Sequence, residues 1–510
     1  MNDKFTLQAA RECATLTAHH GGGKDRPFWN PYSFQFMYVP AFQFSPLPGY
    51  TKYAYHAVDE AGHAYDFTAD TATALLTPIW GDIPEGVVRL KVNAVDKDGN
   101  EAETVGTRTF FKLAPFSEDL AEKACSYKAA AAKAYDYAMN QSFIRHWLTH
   151  GTPDPEYNLN VYPSKMISAI IRAMLYYARV CPEKAKEALK VATNAADYLI
   201  GITPRDGAMK DLPPVYYINF RPNPEQQHNA TAADRIHWMM TIYPAHVGSA
   251  YLMLEEKTGE KKYFDEALKI GNFYKENVQE NGSWYLIYDN RTGELLSPNY
   301  CTPLERIVPF LMALYQRTGD ECWKKLADGG IEYTKKNVFS SYEWEAQFED
   351  SSCSENYSNL THYGATAMVR YLTRYYADDE ESMKAAEDLM RFAEDQFVIW
   401  KKPSPWNKRG FDTSLFTTPC GLEQYAWHVP IDASTGDILV TFLALYKAGR
   451  GELYLEKAKA LANAIVGVQR EDGMIPTHWM TDEMRNGGHF WINCMFSSAS
   501  ALLELGEVVE

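Results

Sequence analysis

Apolar residues cluster along this chain in helix-length stretches, and several of these stretches follow a polar, aromatic loop. The clearest example is residues 299–320, NYCTPLERIVPFLMALYQRTGD, where Glu305 and Arg306 precede a nearly all-apolar run that Thr-Gly-Asp closes. A Pro near the beginning and a Gly at the end are start and stop signals of a helix. Because apolar residues surround most of its circumference, this helix is predicted to be buried on several sides.

The same unit of loop and buried helix occurs six times between residue 161 and the C-terminus. Amphipathic helices with Lys and Glu on one side lie between the units and are typical of an outer layer. The predicted starts of the buried helices are Ser164, His246, Pro303, Gly364, Ser434 and Ser497. These starts lie 57 to 82 residues apart, and such a period indicates a helical-hairpin repeat. Six hairpins in a closed ring form an (α/α)6 toroid. An open solenoid is the alternative, but it needs polar capping repeats, and the last unit is apolar and aromatic.

Residues 30–115 differ, because apolar and polar positions alternate in runs such as SFQFMYV, KYAYHAV and VVRLKVNAV. Turn signals such as Lys-Asp-Gly-Asn separate these runs, so short antiparallel strands are predicted. The expected fold is therefore mainly α: an (α/α)6 toroid at residues 118–510 with a small N-terminal β-sandwich domain at residues 30–115. Residues 1–29 are an N-terminal extension, and KLAPFSEDLAEKA is the predicted joint between the two domains, with a helix that begins near Ser117.

Composition narrows the possible partners. The net charge of −16 and the lack of a basic run argue against nucleic acid, although a local cluster of cations still permits an acidic sugar. The eight cysteines include no Cys-x-x-Cys pair and indicate reduced, packed thiols rather than disulfides or a zinc site. No apolar run of about 20 residues is visible, so no membrane span is expected.

The sequence also bears on location and cofactors. The first residues, MNDKFTLQAARECATL, lack an apolar signal core. The protein is expected to be cytoplasmic as written, or periplasmic or secreted if a leader has been removed. Without a spaced metal-ligand motif or a Gly-rich phosphate loop, no metal and no cofactor are expected. The oligomeric state is not readable from the sequence.

Chemistry is expected where the loops converge. If the inner helices run parallel, their N-terminal ends open on one face, and the positive ends of their dipoles favour an anionic ligand there. The loops in front of these helices are rich in His, Trp, Tyr and Arg. A packing or capping role is the alternative for each of these residues. The predicted substrate-binding residues are Arg306, His237, Trp238, Tyr243, His246, Tyr300, His362, His428, His478, Trp479 and Trp491.

Two turns carry a resemblance to a known group of proteins. Residues 278–284 read VQENGSW, and residues 468–473 read VQREDG, with His478 and Trp479 shortly afterwards. These turns resemble the Gln-x-x-Asp-Gly-x-Trp turns of carbohydrate-active enzymes with an (α/α)6 toroid. Within that group, the chain particularly resembles unsaturated glucuronyl hydrolases, exo-acting uronidases and toroid polysaccharide lyases with an appended β-sandwich. The resemblance implies the architecture of residues 118–510 and a glycan substrate.

Hydrolysis of a glycoside needs a protonated carboxyl beside the leaving oxygen and a second carboxylate that activates water or attacks carbon. The predicted catalytic residues are Glu305, Glu355, Asp432 and Asp350. Each has an alternative role, because Glu305 suits the first turn of a helix and the others suit helix capping or a solvated loop. If one carboxyl is buried among aromatic residues and close to the other carboxylate, its pKa rises, and this carboxyl is then the general acid.

Other reactions remain open. A polysaccharide lyase removes the proton next to a uronate carboxylate, and Asn229, His237, Tyr243 and His246 could supply the required groups. Sugar epimerases share the helical ring but usually lack an N-terminal β-domain. A non-catalytic glycan-binding protein is a further alternative, although it needs fewer titratable groups in one cleft. The favoured hypothesis is an exo-acting, glucuronidase-like glycoside hydrolase that releases a uronic acid from a poly- or oligosaccharide.

Overall fold

The computed structural model describes residues 3–18, 33–122, 125–217, 234–300, 306–337, 339, 360–407, 410–425 and 427–510. Helices dominate this part of the chain. In chain order they are α1 Lys4–Thr15, α2 Thr77–Trp80, α3 Tyr127–Asn140, α4 Ser142–His150, α5 Pro163–Val180, α6 Ala185–Ile202, α7 Ile242–Thr258, α8 Lys261–Asn277, α9 Ile307–Thr318, α10 Glu321–Asn337, α11 Tyr363–Tyr375, α12 Glu380–Phe397, α13 Asp432–Lys447, α14 Glu452–Val468, α15 Asp482–Arg485 and α16 Ile492–Val509.

Six helical hairpins form the main body. The inner helices are α5, α7, α9, α11, α13 and α16, and the outer helix packed on each is α6, α8, α10, α12, α14 and α3, respectively. The ring is closed because α16, near the C-terminus, packs on both α5 and α3 from the beginning of the toroid. The prediction of an (α/α)6 toroid is therefore confirmed, and the solenoid alternative is excluded.

The sequence pattern explains which helices lie inside. In α13 most residues are buried, whereas α10 buries one stripe and exposes its Lys and Glu residues to solvent. Short turns join each of the first five inner helices to its outer partner, as at Gly259 and Gly319, which both have positive φ after the last helical residue. Longer segments lead back to the next inner helix. The N-terminal ends of the inner helices consequently share the face that carries the long loops.

The boundaries of three inner helices differ from the prediction by four or five residues. Helix α7 begins at Ile242 rather than at His246. Helix α9 begins at Ile307 rather than at Pro303, with Arg306 as the residue before it. Helix α16 begins at Ile492 rather than at Ser497. Trp491 is extended in front of α16 because its N–H donates a hydrogen bond to the hydroxyl of Thr477 (2.8 Å). Boundaries depend on such local partners more than on apolar periodicity.

The two Gln-containing turns have an architectural role. Gly282 has φ 86° and lies so close to α10 that a Cβ atom would approach the carbonyl oxygen of Gly329 to 2.5 Å. In the second turn, the side-chain amide of Gln469 donates to the carbonyl of Ala130 in α3 (2.9 Å). Each turn therefore fixes the end of one outer helix against the next outer helix.

The N-terminal part contains β-structure with its own hydrophobic core. Five strands form a sheet in the order β1-β7-β6-β3-β4, and β2 pairs with β5 in a second, two-stranded sheet. The strands are β1 Gln35–Phe36, β2 Ala41–Gln43, β3 Lys52–Val58, β4 Ala64–Ala69, β5 Thr73–Leu75, β6 Gly86–Val95 and β7 Glu101–Lys112. Strands β3, β6 and β7 are antiparallel, as predicted.

The junction between this sheet and the toroid shortens one predicted strand. The run SFQFMYV forms only the two-residue strand β1, because the backbone N–H groups of Met37 and Tyr38 donate to the carboxylate of Asp395 in α12 (2.6 and 2.7 Å). Glu394, also in α12, accepts a hydrogen bond from the Tyr38 hydroxyl (2.8 Å). The chain then passes through a 3-10 turn at Glu118–Ala121, where the sequence indicated the start of a helix near Ser117. The domain boundaries themselves stay a prediction.

Two small antiparallel sheets stand on the loop face of the toroid. One has the order β10-β9-β8, with β8 Trp238–Met240, β9 Tyr285–Asp289 and β10 Leu295–Tyr300. The other has the order β11-β12-β13, with β11 Val398–Ile399, β12 Cys420–Gln424 and β13 Trp427–Pro430. Within the described residues, α16 is long and apolar enough to span a membrane by length and composition, but here it packs in the ring of inner helices.

Candidate active site

One cavity of about 360 Å³ lies on the axis of the toroid, and every inner helix or the residue just before it contributes to its wall. Both cationic and anionic side chains reach this cavity. Its polar lining includes Lys165, Arg172, His246, Arg306, Tyr363, Arg370, Glu423, Asp437, Asn493 and Glu504. A concave, enclosed site with convergent titratable groups is the expected place for ligand binding or catalysis in such a fold.

Cations from α5 and the start of α9 surround His246 of α7. Lys165 and Arg172 lie seven residues apart on α5, so they share the helix face that lines the cavity. The Lys165 ammonium lies 5.0 Å from the ring centroid of Trp491, and the Arg306 guanidinium lies 4.6 Å from that of Tyr243. Cation–π contacts of this kind hold both cations in place at the cavity wall.

The charges on this wall influence one another. Burial, together with Arg306, Arg172 and Lys165, holds the pKa of His246 well below its usual value. Burial also lowers the pKa of Arg172, and the neighbouring Arg306 adds to the effect. The Nε atom of Arg172 is buried without a hydrogen-bond partner among the described residues. His246 is therefore neutral at pH 7, and an anion bound here would relieve the repulsion between the cations.

A carboxylate occupies the opposite side of the cavity. Asp437 of α13 forms an ion pair with Arg370 of α11 (2.9 Å), accepts a hydrogen bond from Thr366 (2.6 Å) and lies 3.2 Å from Nδ1 of His362. Burial alone would raise the pKa of Asp437, but Arg370, His362 and Thr366 together hold it well below its usual value. Asp437 is therefore an anchored anion on the cavity wall.

A second carboxyl, Glu423, reaches the cavity from strand β12. The hairpin of β12 and β13 lies tightly against the start of α13. The N–H of Gly421 donates to the hydroxyl of Thr435 (2.9 Å), and a Cβ atom at Gly421 would approach the backbone nitrogen of Thr435 to 2.7 Å. Only glycine permits this approach, which sets the position of Glu423 two residues later.

Asp432 lies behind the wall rather than in it. Its neighbours Ile431 and Ala433 line the cavity, whereas the carboxyl of Asp432 is 0% exposed and accepts a hydrogen bond from Ser498 of α16 (3.1 Å). Burial raises the pKa of Asp432 well above its usual value. The hydrogen bond from Ser498 to this carboxyl joins α13 to α16, and the role of Asp432 as a catalytic residue stays a prediction.

The structure gathers five of the predicted substrate-binding residues at or just behind the cavity. His246 and Arg306 line it. Tyr243 lies under Arg306, Trp491 lies beside Lys165, and His362 stands behind Asp437.

Other predicted binding residues lie away from the cavity lining. His428 is buried, its Nε2 donates to the carbonyl of Gln396 (2.9 Å), and burial lowers its pKa to about 4. The indole of Trp479 is fully buried and donates to the carbonyl of Pro476 (2.9 Å). His478 pairs with Ile431 through its backbone, and burial together with His489 lowers its pKa to about 4.

His237 and Trp238 lie at the start of β8. The carbonyl of His237 accepts a hydrogen bond from the N–H of Asn290 (2.8 Å), and Arg235 covers the ring of Trp238. Five further predicted positions lie outside the described residues or side chains: Asn229, Glu305, Asp350, Glu355 and the side chain of Tyr300.

Several cavity residues were missed from the sequence. Arg172, Arg370, Asp437 and Glu504 all sit within inner helices, not in the loops where candidates were sought. A charged residue inside an otherwise apolar helix is a signal that could have identified them, because an unpaired charge is rarely buried without a function or a partner. Among the described residues, no group of three or more His, Cys, Asp or Glu side chains could hold a metal ion.

Fold and site together define a closed (α/α)6 toroid with a charged axial cavity. No family model matches the sequence, and no curated protein matches it either. A family 76 glycoside hydrolase from a bovine Bacteroides thetaiotaomicron strain matches with TM-score 0.53 and 10% identity, over 92% of this chain and 96% of its own. The cellobiose 2-epimerase of Spirochaeta thermophila matches with TM-score 0.53 and 11% identity, over 75% of this chain and 97% of the epimerase chain. A D-mannose isomerase matches with TM-score 0.50 and 11% identity, over 74% of this chain and 99% of the isomerase chain. At these identities the likeness shows the fold alone, which carbohydrate-active enzymes of three reaction types share.

Proposed function

We propose that this protein is a carbohydrate-active enzyme, namely an exo-acting glycoside hydrolase that releases a uronic acid from an acidic glycan. The observation that carries the proposal is the division of charge in the axial cavity. Lys165, Arg172 and Arg306 stand on the wall formed by α5 and α9, whereas Asp437 and Glu423 stand on the wall formed by α13 and its preceding hairpin. Arg370 is neutralised by its ion pair with Asp437, and Glu504 of α16 adds a further carboxyl to the lining. A uronate residue has a charged carboxylate on one side and a scissile bond on another, and it suits such a site.

The cations distinguish an acidic sugar from a neutral one. Charge-assisted hydrogen bonds from Arg172 and Arg306 to a sugar carboxylate would be stronger than those to a hydroxyl group. The cavity volume of about 360 Å³ lies at the lower end of the range for small-molecule sites, which favours a terminal sugar residue over a long chain segment. Exo-action is therefore proposed.

The carboxyls supply the chemistry of hydrolysis. Asp437 is ionised and held in place by Arg370, so it suits the role of the carboxylate that activates water or stabilises a cationic transition state. Glu423 lies on a hairpin at the cavity wall and is proposed as the proton donor. Glu305, Asp350, Glu355 and Asp432 remain alternative candidates.

One observation favours elimination as a second candidate. His246 is neutral at pH 7 and lies among cations that would neutralise a sugar carboxylate. A neutral imidazole beside a neutralised uronate can remove the adjacent proton, which is the first step of a lyase reaction. The two reactions differ in their products, because elimination creates a carbon–carbon double bond that absorbs in the ultraviolet.

The test is a panel of acidic and neutral glycans, assayed for reducing ends, free uronate and ultraviolet absorbance. We expect reducing ends and uronate without absorbance.

Substitutions E423Q and D437N should lower kcat by about 10²- to 10⁴-fold. Glu507 is an exposed carboxylate on α16 that pairs with Arg179, so E507Q is the matched control and should retain full activity.

Three results would contradict the proposal. A rise in absorbance would assign the protein to the lyases, with His246 as the first residue to substitute. Preferential turnover of a neutral glycan would refute the acidic substrate. Binding without turnover across the whole panel would make the protein a non-catalytic glycan-binding protein.

A further inference from the structure

A second cavity of about 340 Å³ lies between the inner helices α9 and α11. Its α9 wall consists of Pro309, Ala313 and Gln316. We call this cavity the lateral groove. Its other wall is the face of α11 formed by Ala367, Arg370, Tyr371, Arg374 and Tyr375.

The lateral groove borders the axial cavity at a single shared side chain. Arg370 lines both spaces, because its guanidinium crosses from α11 to α13, where it binds Asp437 (2.9 Å) and the hydroxyl of Thr441 (2.6 Å). The side chain thus forms a partition between the two spaces. The groove runs from the first turn of α9, at Pro309, to Gln316 and along the middle and C-terminal parts of α11.

The groove combines positive charge with aromatic rings. The Arg374 guanidinium lies 5.3 Å from the ring centroid of Tyr375, and the centroids of Tyr371 and Tyr375 lie 4.8 Å apart. Among the described residues that line the groove there is no carboxylate. Aromatic faces pack against the C–H faces of sugars, and arginine binds carboxylates in a planar, two-point geometry.

We propose that the lateral groove is a second binding site, distinct from the axial cavity, for an acidic oligosaccharide. Charge complementarity and continuity with the axial cavity through Arg370 carry this inference. The choice of ligand rests on the proposed function, whereas the presence of a second site does not. An oligosaccharide with one acidic sugar bound in the groove would stay near the axial cavity between reaction cycles, since this second contact raises the local concentration of substrate.

The test counts binding sites by isothermal titration calorimetry with a di-uronide, and with a neutral disaccharide of the same linkage for comparison. The full chain with E423Q serves as the background, so that turnover does not interfere. Two di-uronide molecules per chain are expected. Substitution R374S should remove one of them, and R172M should remove the other.

The chain offers a closely matched control. Arg179 lies on inner helix α5 and covers the ring of Tyr176 at the same distance, 5.3 Å, as Arg374 covers Tyr375, but Arg179 lines neither cavity. Substitution R179S should therefore retain both sites. A second variant, Q316E, places a carboxylate on the α9 wall at an exposed position and should weaken binding in the groove about tenfold through repulsion.

The outcomes separate this inference from the proposed function. One site that is lost in R172M and unchanged in R374S and Q316E would overturn the inference and leave the proposed function intact. Two sites with the expected losses, but no turnover of any glycan, would support the inference and refute the hydrolase. Equal groove binding of the neutral disaccharide, unaffected by R374S, would overturn the role assigned to charge.

Discussion

Individual charged residues inside the apolar inner helices decide what the axial cavity can bind. Arg172, Arg370 and Asp437 each occupy a helix whose other residues are largely buried. Asp437 is balanced by Arg370, whereas Arg172 faces the cavity beside another cation. The buried Nε atom of Arg172 has no hydrogen-bond partner among the described residues, and a ligand of opposite charge can provide one. This asymmetry is the reason for proposing an acidic substrate.

At the same scale, His428 predicts a dependence of stability on pH. Its ring is buried, and its folded pKa of about 4 lies below the value of about 6.5 for an unfolded chain. As the pH falls below 6.5, His428 becomes protonated in the unfolded chain, whereas in the folded protein it stays neutral until about pH 4. His428 should therefore lower the free energy of unfolding by up to ~3 kcal/mol between these pH values.

The measurement is the midpoint of denaturant unfolding from pH 7.5 down to about pH 4.5, in the wild type and in H428Q. The midpoint should fall with acidification in both proteins, but less in H428Q, because Gln does not titrate. Parallel curves for the two proteins would contradict the assigned pKa.

At the scale of elements, close packing of neighbouring inner helices depends on small residues. A Cβ atom at Gly248 in α7 would approach Cε2 of Phe310 in α9 to 2.4 Å, which is closer than real contacts allow. The ring of Phe310 therefore fills the space that a side chain at position 248 would need. Gly436 of α13 shows a milder version of this feature, because a Cβ atom there would lie 3.3 Å from Cα of Ser498.

Substitution G248A should destabilise the protein despite the higher helix propensity of Ala. Overpacking against Phe310 should lower the free energy of unfolding by about 1–3 kcal/mol. Gly201 in outer helix α6 has open space around its Cα, so G201A should be neutral or stabilise by up to ~1 kcal/mol. Chemical denaturation of both variants measures the difference. Equal effects at the two glycines would show that helix propensity, not packing, governs position 248.

At the scale of the whole molecule, a buried ion pair within the toroid contacts the segment that follows β1. Lys457 of α14 and Glu394 of α12 are 1% and 2% exposed, and their charged atoms lie 2.7 Å apart. Glu394 also accepts hydrogen bonds from the hydroxyl of Tyr38 and the indole of Trp400. Together with Asp395, this cluster holds the segment after β1 against the toroid.

Removal of one partner should leave a buried charge without compensation. We expect K457M to lower the free energy of unfolding by about 3–5 kcal/mol. In the E394Q background the same substitution should cost less, because no carboxylate remains to be neutralised. A double-mutant cycle measured by denaturant unfolding quantifies the coupling. Additive effects in the cycle would show that the pair contributes nothing specific to the junction.

Much of the architecture could be predicted because local pattern and fold agree. The six apolar stretches became the six inner helices, and the runs KYAYHAV and VVRLKVNAV became parts of β3 and β6. The prediction failed for SFQFMYV, where Asp395, more than 350 residues away in the sequence, binds the backbone in place of a strand partner. Residues that compete for a backbone N–H from such a distance leave no signal in the local sequence.

The sequence by itself determined the helical period and the face on which the loops gather, since these follow from apolar periodicity and the positions of turn residues. Closure of the ring was decided by the packing of α16 on α5 and α3, because the sequence left an open solenoid as an alternative. Only the tertiary structure decided which charges meet. Arg172, Arg306, Asp437 and Glu423 come from four separate segments, and their relative positions depend on how helices pack, not on spacing along the chain. The electrostatic character of a site depends on distances and burial in three dimensions, and a one-dimensional pattern does not contain either quantity.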